Sequence, residues 1–207
     1  MKMGTEAKTE DKRHLRSALT RQKLLASAKK VFLEEGFQRA TISQMINDAG
    51  IGYGTAYVHF QGKEDLLRVL MENVMERFHE IASITFTPQT KEDALATIRQ
   101  QTLDFLKMAE AERNMMRIFE QAIGVSAIIA EKWKAIREEF IAGIANDIAY
   151  SQQHGLARKD LNHLLIARGW FYTNEMYLWE IVRDEHPSTV EEIAFAITEL
   201  YTTGLYL

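Results

Sequence analysis

The sequence predicts an all-α protein: a small three-helix helix-turn-helix domain at the N-terminus, then a larger helical domain, with about nine helices in total. Three observations carry this. Apolar residues recur at the three-and-four spacing of a single helix face along most of the chain. Only 2 prolines and 11 glycines interrupt 207 residues. No stretch shows sustained apolar-polar alternation bounded by turn residues, so strands are not expected.

Residues 1–18 are polar and charged, with Lys2, Lys8, Lys12, Arg13 and Arg16, and predict a mobile basic arm. From Thr20 onward Leu24, Ala28, Val31 and Phe32 mark a helix face, and Gly36 is expected to end that helix. Thr41 has Gln44 three residues on, which is a capping box opening a short helix with Met45 and Ile46 facing inward. Ala49-Gly50-Ile51-Gly52 breaks it, and a third short helix follows from Tyr53 to about His59. Helix, glycine turn, helix is the outline of a helix-turn-helix, here within residues 19–64.

The larger domain, residues 65–207, draws on a helix that opens at Lys63 with the stripe Leu66, Leu67, Leu70, Val74 and Phe78. Thr87-Pro88 is expected to close it. Further helices are predicted over 91–109, 113–123, 125–154, 161–184 and 189–206. Gly155 and His186-Pro187-Ser188 punctuate them, and Ser188 or Thr189 with Glu191 or Glu192 downstream is a start signal.

The composition, 46% apolar and 26% charged, is that of a folded chain, and there is no cysteine to form disulfides, thiolate metal sites or nucleophiles. No window approaches the roughly 18 uncharged apolar residues of a membrane span, and no signal-peptide core is present. No membrane partner and a cytoplasmic location are therefore expected. The net charge of -4 is unevenly spread. Residues 1–63 carry 11 Lys and Arg against 6 Asp and Glu, and the rest carries 14 against 23. A basic head on an acidic body points to a polyanion contact confined to the head. No His-Glu-x-x-His, nucleophile elbow, phosphate loop or paired histidines at metal spacing appears, so neither an enzyme nor a metal or other cofactor is expected.

From Arg21 to Leu70 the chain resembles the TetR family of repressors. Ala28, Phe32, Gly36-Phe37, Thr41-Ile42 and Ala49-Gly50-Ile51 occupy family positions, as do Gly54-Thr55-Ala56-Tyr57-Val58-His59-Phe60 and Lys63-Glu64-Asp65-Leu66-Leu67. The resemblance implies a repressor that binds double-stranded operator DNA as a homodimer and is released by a small, largely apolar effector. In a helix-turn-helix the N-terminus of the second helix meets base edges in the major groove. Tyr53, Gly54 and Thr55 lie there; Tyr53 offers a ring face and a hydroxyl, Thr55 a methyl and a hydroxyl. Thr41, Tyr57, His59 and Lys63 match family positions at or near the phosphate backbone, with His59 equally a surface or capping residue. Phe60, Ile42 and Ile46 belong to the core. Gly52 and Tyr53 depart from the family, which usually has a hydroxyl cap and often a basic residue there, so an arginine-type guanine contact is not expected. Ala56 stands for a larger apolar residue.

In the larger domain Trp170, Asn174, Tyr177 and Ile181 share one helix face. Asn174 either orients a ligand carbonyl or amide in an apolar pocket or bonds a neighbouring backbone group. Residues 174–206 resemble the ethionamide-resistance repressor branch of the family, in which an asparagine and an aromatic residue face an apolar tunnel. The matching positions are Asn174 and Tyr201, and Phe171 replaces a polar residue, which implies a drier pocket. Trp133, Trp170, Phe171, Asn174, Tyr177 and Tyr201 are the effector-site candidates. Phe105, Met108, Met115, Met116, Phe119 and Phe140 are either walls of the same pocket or plain core. The last two helices match the pair that forms the family's four-helix dimer interface.

Overall fold

The computed structural model describes residues 3–206, with side chains from residue 14 onward. Among the described residues there are nine α-helices and no named strand: α1 Met3–Arg39, α2 Ile42–Ala49, α3 Tyr53–His59, α4 Lys63–Ala82, α5 Lys91–Ala111, α6 Arg113–Ile123, α7 Ala127–Gln153, α8 His163–Arg183 and α9 Val190–Leu205. They fall into two compact units. Residues 1–72 and 118–129 form unit 1, and 73–117 and 130–207 form unit 2. One break between the units falls within α4, and unit 1 takes in a segment from the middle of the chain.

In unit 1, α1 packs on both α2 and α3. Leu24, Ala28, Phe32, Met45, Ile46, Ala56 and Phe60 are buried between them, whereas Ile42 is only half-buried. Residues 3–18 differ from the mobile arm expected of them, because α1 already runs through them. Glu6, Ala7, Lys8, Glu10, Lys12 and Leu15 are good helix formers, and no proline stops the helix from extending. Residues 1–2 of that arm, and the side chains of Lys8, Lys12 and Arg13, lie outside the described residues.

Gly36 ends the first helical run of α1, as expected, at a kink that separates it from a short second run. Its φ of 76° and ψ of 167° lie in a region essentially reserved for glycine, after which one further turn reaches Arg39. A Cβ there would also meet Gln121 Oε1 at 3.2 Å, the same oxygen that accepts from the Phe37 N–H at 3.2 Å. α2 opens on the expected capping box of Thr41 and Gln44 and ends at Gly50 in the left-handed region, whose N–H returns to Asn47 and Ile46 carbonyls.

In unit 2, α5 packs on α9 and α8, and α8 on α9. Their seam is a core of Leu106, Ile181, Val190, Ile193, Ala194 and Ile197. α8 is capped by Asn162, and α9 by the capping box of Thr189 with Glu192. α4 stops at Ala82, short of the expected Thr87-Pro88. Ser83 satisfies the last turn, its N–H on the His79 carbonyl and its hydroxyl on that of Glu80, and β-branched Ile84 and Thr85 lead to a buried Phe86. The chain after α7 pairs with the end of α9: Ala157 bridges Tyr206, and the Arg158 N–H donates to the Leu205 carbonyl at 2.9 Å.

Gly36→Ala is expected to lower stability by about 1–3 kcal/mol, because alanine cannot adopt that backbone without strain. Chemical denaturation of Gly36→Ala with and without Gln121→Ala separates the causes. Backbone strain leaves the loss in place in the double variant, whereas full recovery would make the contact with Gln121 responsible.

Candidate functional site

The first candidate surface is α3. A helix of 7 residues is too short to be stable alone, and it is held by Ala56 and Phe60, which are buried at 0% and 2% exposure. Tyr53, Gly54, Thr55, Tyr57 and Val58 all remain exposed, Tyr53 and Tyr57 at 48% and 49% and Val58 at 81%. The N-cap is Gly52, which has no side chain to offer. The first-turn N–H groups of Tyr53, Gly54 and Thr55 therefore find no acceptor among the described residues. Unspent donors at a helix N-terminus suit an anion.

Lys63 secures the same element. Its ammonium donates to the carbonyls of Phe37 at 2.8 Å, Gln38 at 3.1 Å and Ala40 at 3.1 Å, and lies 4.6 Å from the Phe37 ring centroid. An ammonium has three protons, and all three are used. Arg21 lies over the Phe60 ring at 5.2 Å from its centroid.

The second candidate is a cavity of about 310 Å³ in unit 2. Its aromatic wall includes Phe86, Phe105, Phe140, Trp170, Phe171 and Tyr201. Trp170 and Tyr201 stack with centroids 4.1 Å apart and planes 16° from parallel. Polar groups enter this wall from several helices: His79 from α4, Gln101 and Thr102 from α5, Glu139 and Asp147 from α7, Asn174 from α8. Asn174, only 7% exposed, donates from Nδ2 to the Trp170 carbonyl at 2.9 Å, while its Oδ1 has no donor among the described residues. Burial pushes the Asp147 carboxyl up from 3.8 to about 6. Burial likewise raises Tyr206 to about 12, with its hydroxyl 3.3 Å from Ser151 Oγ, and holds Tyr201 well above the ordinary tyrosine value. Among the described residues there is no group of three or more metal-ligating side chains, and no helix is long and apolar enough to cross a membrane.

Residues 24–70 match the family described as bacterial regulatory proteins, tetR family. The chain is 30% identical over 158 residues to the HTH-type transcriptional regulator UidR of Escherichia coli K12, covering 72% of this chain and 74% of that one. The chain belongs to the tetR family. It is also 23% identical over 189 residues to the HTH-type transcriptional regulator EthR of Mycolicibacterium smegmatis, covering 88% of this chain and 84% of that one. In fold it is similar to SmeT of Stenotrophomonas maltophilia in complex with triclosan, with a TM-score of 0.72 at 19% identity over 91% of this chain and 92% of that one.

This tetR-family chain is thus a DNA-binding transcriptional regulator and not an enzyme. Of the residues singled out for DNA, the structure exposes Tyr53, Gly54, Thr55 and Tyr57 together and half-buries His59 at the end of α3. Thr41 is exposed, yet its hydroxyl donates to Gln44 Oε1 at 2.8 Å and accepts from the Gln44 N–H at 3.3 Å. Lys63, matched to a family position near the phosphate backbone, directs its ammonium here to the carbonyls at the end of α1.

Of the effector candidates, Trp170, Phe171, Asn174 and Tyr201 line the cavity, and Trp133 and Tyr177 do not. Trp133 donates from Nε1 to the buried Glu175 at 2.7 Å, the same oxygen that takes Arg137 Nε at 2.7 Å and Trp179 Nε1 at 3.4 Å. Tyr177 packs on the core between α5 and α9. Phe105 and Phe140 are walls, Met115, Met116 and Phe119 are buried core, and Met108 is half-buried away from the lining. The pocket is also less dry than Phe171 implied, because sequence spacing on α8 gives no view of the polar groups that α4, α5 and α7 contribute.

Lys63→Met is expected to cost about 1–3 kcal/mol by leaving three carbonyls without their donor. Tyr57→Phe should stay within about 0.5 kcal/mol of the parent in the same denaturation series. Asp147 has a second, pH-dependent effect. Its folded value lies above its unfolded one, so stability falls as pH rises from about 4 to 6, and the full cost applies above that. Asp147→Asn should therefore raise the melting temperature at pH 7.5 by about 2–4 °C, for a screened effect of about 1 kcal/mol. The gain should shrink as pH approaches 4, and thermal melts across that range check the sign.

Proposed function

We propose that this regulator is a homodimeric repressor that places α3 in the major groove of a palindromic operator and is released by a small ligand held in the unit 2 cavity. The observation that carries the DNA half is the exposed N-terminal surface of α3. Tyr53 and Thr55 supply groups for base edges, the first-turn N–H groups supply phosphate donors, and the Tyr57 hydroxyl reaches the backbone. Lys63 and Thr41 serve it indirectly by fixing the ends of the neighbouring helices.

Dimerisation is supported by the apolar surface of the last two helices. Leu165, Tyr172 and Met176 share one face of α8 at 69%, 42% and 49% exposure, and Phe195 and Leu200 of α9 are 54% and 78% exposed. A pair of chains also meets the physical requirement of a palindrome, which is read by two helices about one DNA turn, ~34 Å, apart. The ligand half is supported by the cavity and its aromatic walls, and by the complex of SmeT with triclosan in a related fold. Release then follows from linkage. A ligand that prefers the operator-free state about 100-fold lowers operator binding by roughly 2.7 kcal/mol.

The test begins with the sites recovered when the purified protein selects fragments from its own genome. Tyr53→Ala and Tyr57→Ala are each expected to weaken binding to those sites about 5- to 150-fold in fluorescence anisotropy, with unchanged circular dichroism and sedimentation as a dimer. Wild-type affinity in both variants would remove α3 from the interface.

A further inference from the structure

The cavity carries an imbalance that an apolar ligand would leave unresolved. Asp147 lines it, and among the described residues its carboxylate has neither a hydrogen-bond donor nor an ion-pair partner. No lysine or arginine is part of the lining. Of the titratable groups that share the space, His79 on α4 has Nε2 3.4 Å from Glu139 Oε2, so the second carboxylate already faces a base. Tyr201 and Tyr206 face Asp147 from the end of α9, and both are held neutral by burial. Lys91 is engaged elsewhere, donating to the Tyr206 carbonyl at 3.3 Å.

A second observation points the same way. Asn174 is more than nine-tenths buried, lines the cavity, and commits Nδ2 to the Trp170 carbonyl, which leaves Oδ1 as an open acceptor. Gln101, Thr102 and Ser83 both donate and accept, so the unmatched groups of the lining are the Asp147 carboxylate and the Asn174 Oδ1, which N–H donors and positive charge on a ligand would match. Beside Ile81, Ile98, Ile144 and Ile148 the wall carries aromatic rings, whose faces are electron-rich and favour a cation, and the Trp170–Tyr201 stack is part of it.

We infer that the effector is an amphiphilic amine whose protonated head pairs with Asp147 and whose hydrocarbon body lies against the aromatic wall. This rests on the cavity being the effector site, and it narrows the ligand from apolar to cationic and apolar. The bound cation removes the cost of ionising Asp147, so ligand uptake and deprotonation of that carboxyl are coupled.

The test uses the full chain without DNA and three probes of equal length: decylamine, 1-decanol and decanoate. Calorimetric titration at pH 7.5 should give decylamine at least about tenfold tighter binding than 1-decanol, with decanoate weakest. Asp147→Asn should abolish the preference for the amine while leaving 1-decanol binding within about twofold, which also reports that the variant is folded. In the parent, decylamine affinity should fall by about tenfold for each pH unit below 6, and 1-decanol affinity should stay level. Equal binding of decylamine and 1-decanol, a preference that survives in Asp147→Asn, a flat pH profile or no binding of any probe would each overturn the cationic reading. None of these outcomes bears on operator binding by α3, and release of the operator by an uncharged ligand would preserve the effector reading while excluding this one.

Discussion

A helix as short as α3 has too few internal hydrogen bonds to persist in water, so its presence depends on what anchors it. The anchor is the burial of Ala56 and Phe60 against α1, with Gly50 turning the chain before it and Lys63 tying down the carbonyls beyond Phe37 after it. Nearly every other side chain of α3 is thereby released from packing and left facing outward. One small residue and one large one carry the attachment, and five residues carry the exposed surface on which the proposed contact with DNA depends.

The second unit works by a different balance. Its helices close over a solid core between α5, α8 and α9, yet leave a space at one end where aromatic walls meet a carboxyl and an amide oxygen without partners. Polar groups facing a largely apolar space are costly to leave without partners. The contrast within α8 makes the point. Glu175, one residue from Asn174, takes donors from Trp133, Arg137 and Trp179 and is a finished structural group. Asn174 and Asp147 are unfinished.

Much of this was legible in the sequence, because helix periodicity and caps are local signals. Thr41 with Gln44, Gly50, Gly155 and Thr189 with Glu192 each marked a helix end that the structure places within a residue or two. Where the outcome differed, a long-range or competing term decided. Residues 3–18 extend α1 because helix propensity is high there and nothing interrupts it, although their charge suggested an unstructured arm. α4 ends early so that Phe86 can be buried. For the sites, α3 was readable because its residues are contiguous. The cavity was half readable: spacing on α8 supplied Trp170 and Asn174, the family resemblance added Phe171 and Tyr201, but Tyr177 and Ile181 on the same face went to the core. Asp147, His79, Gln101 and Phe86 come from other segments, and only the isolated carboxylate of Asp147 among the apolar residues of α7 hinted at its role.

The claim on which the account turns is that the outward face of α3 is the surface that meets DNA. The most direct measurement is site-specific photocrosslinking to labelled operator from a benzophenone amino acid placed at Val58, with Leu164 and Phe195, also more than half exposed, as control positions. The expected result is a crosslink from Val58, mapped to the operator half-site, and none from the two controls. Crosslinks confined to Leu164 or Phe195, with Val58 silent on bound DNA, would contradict it.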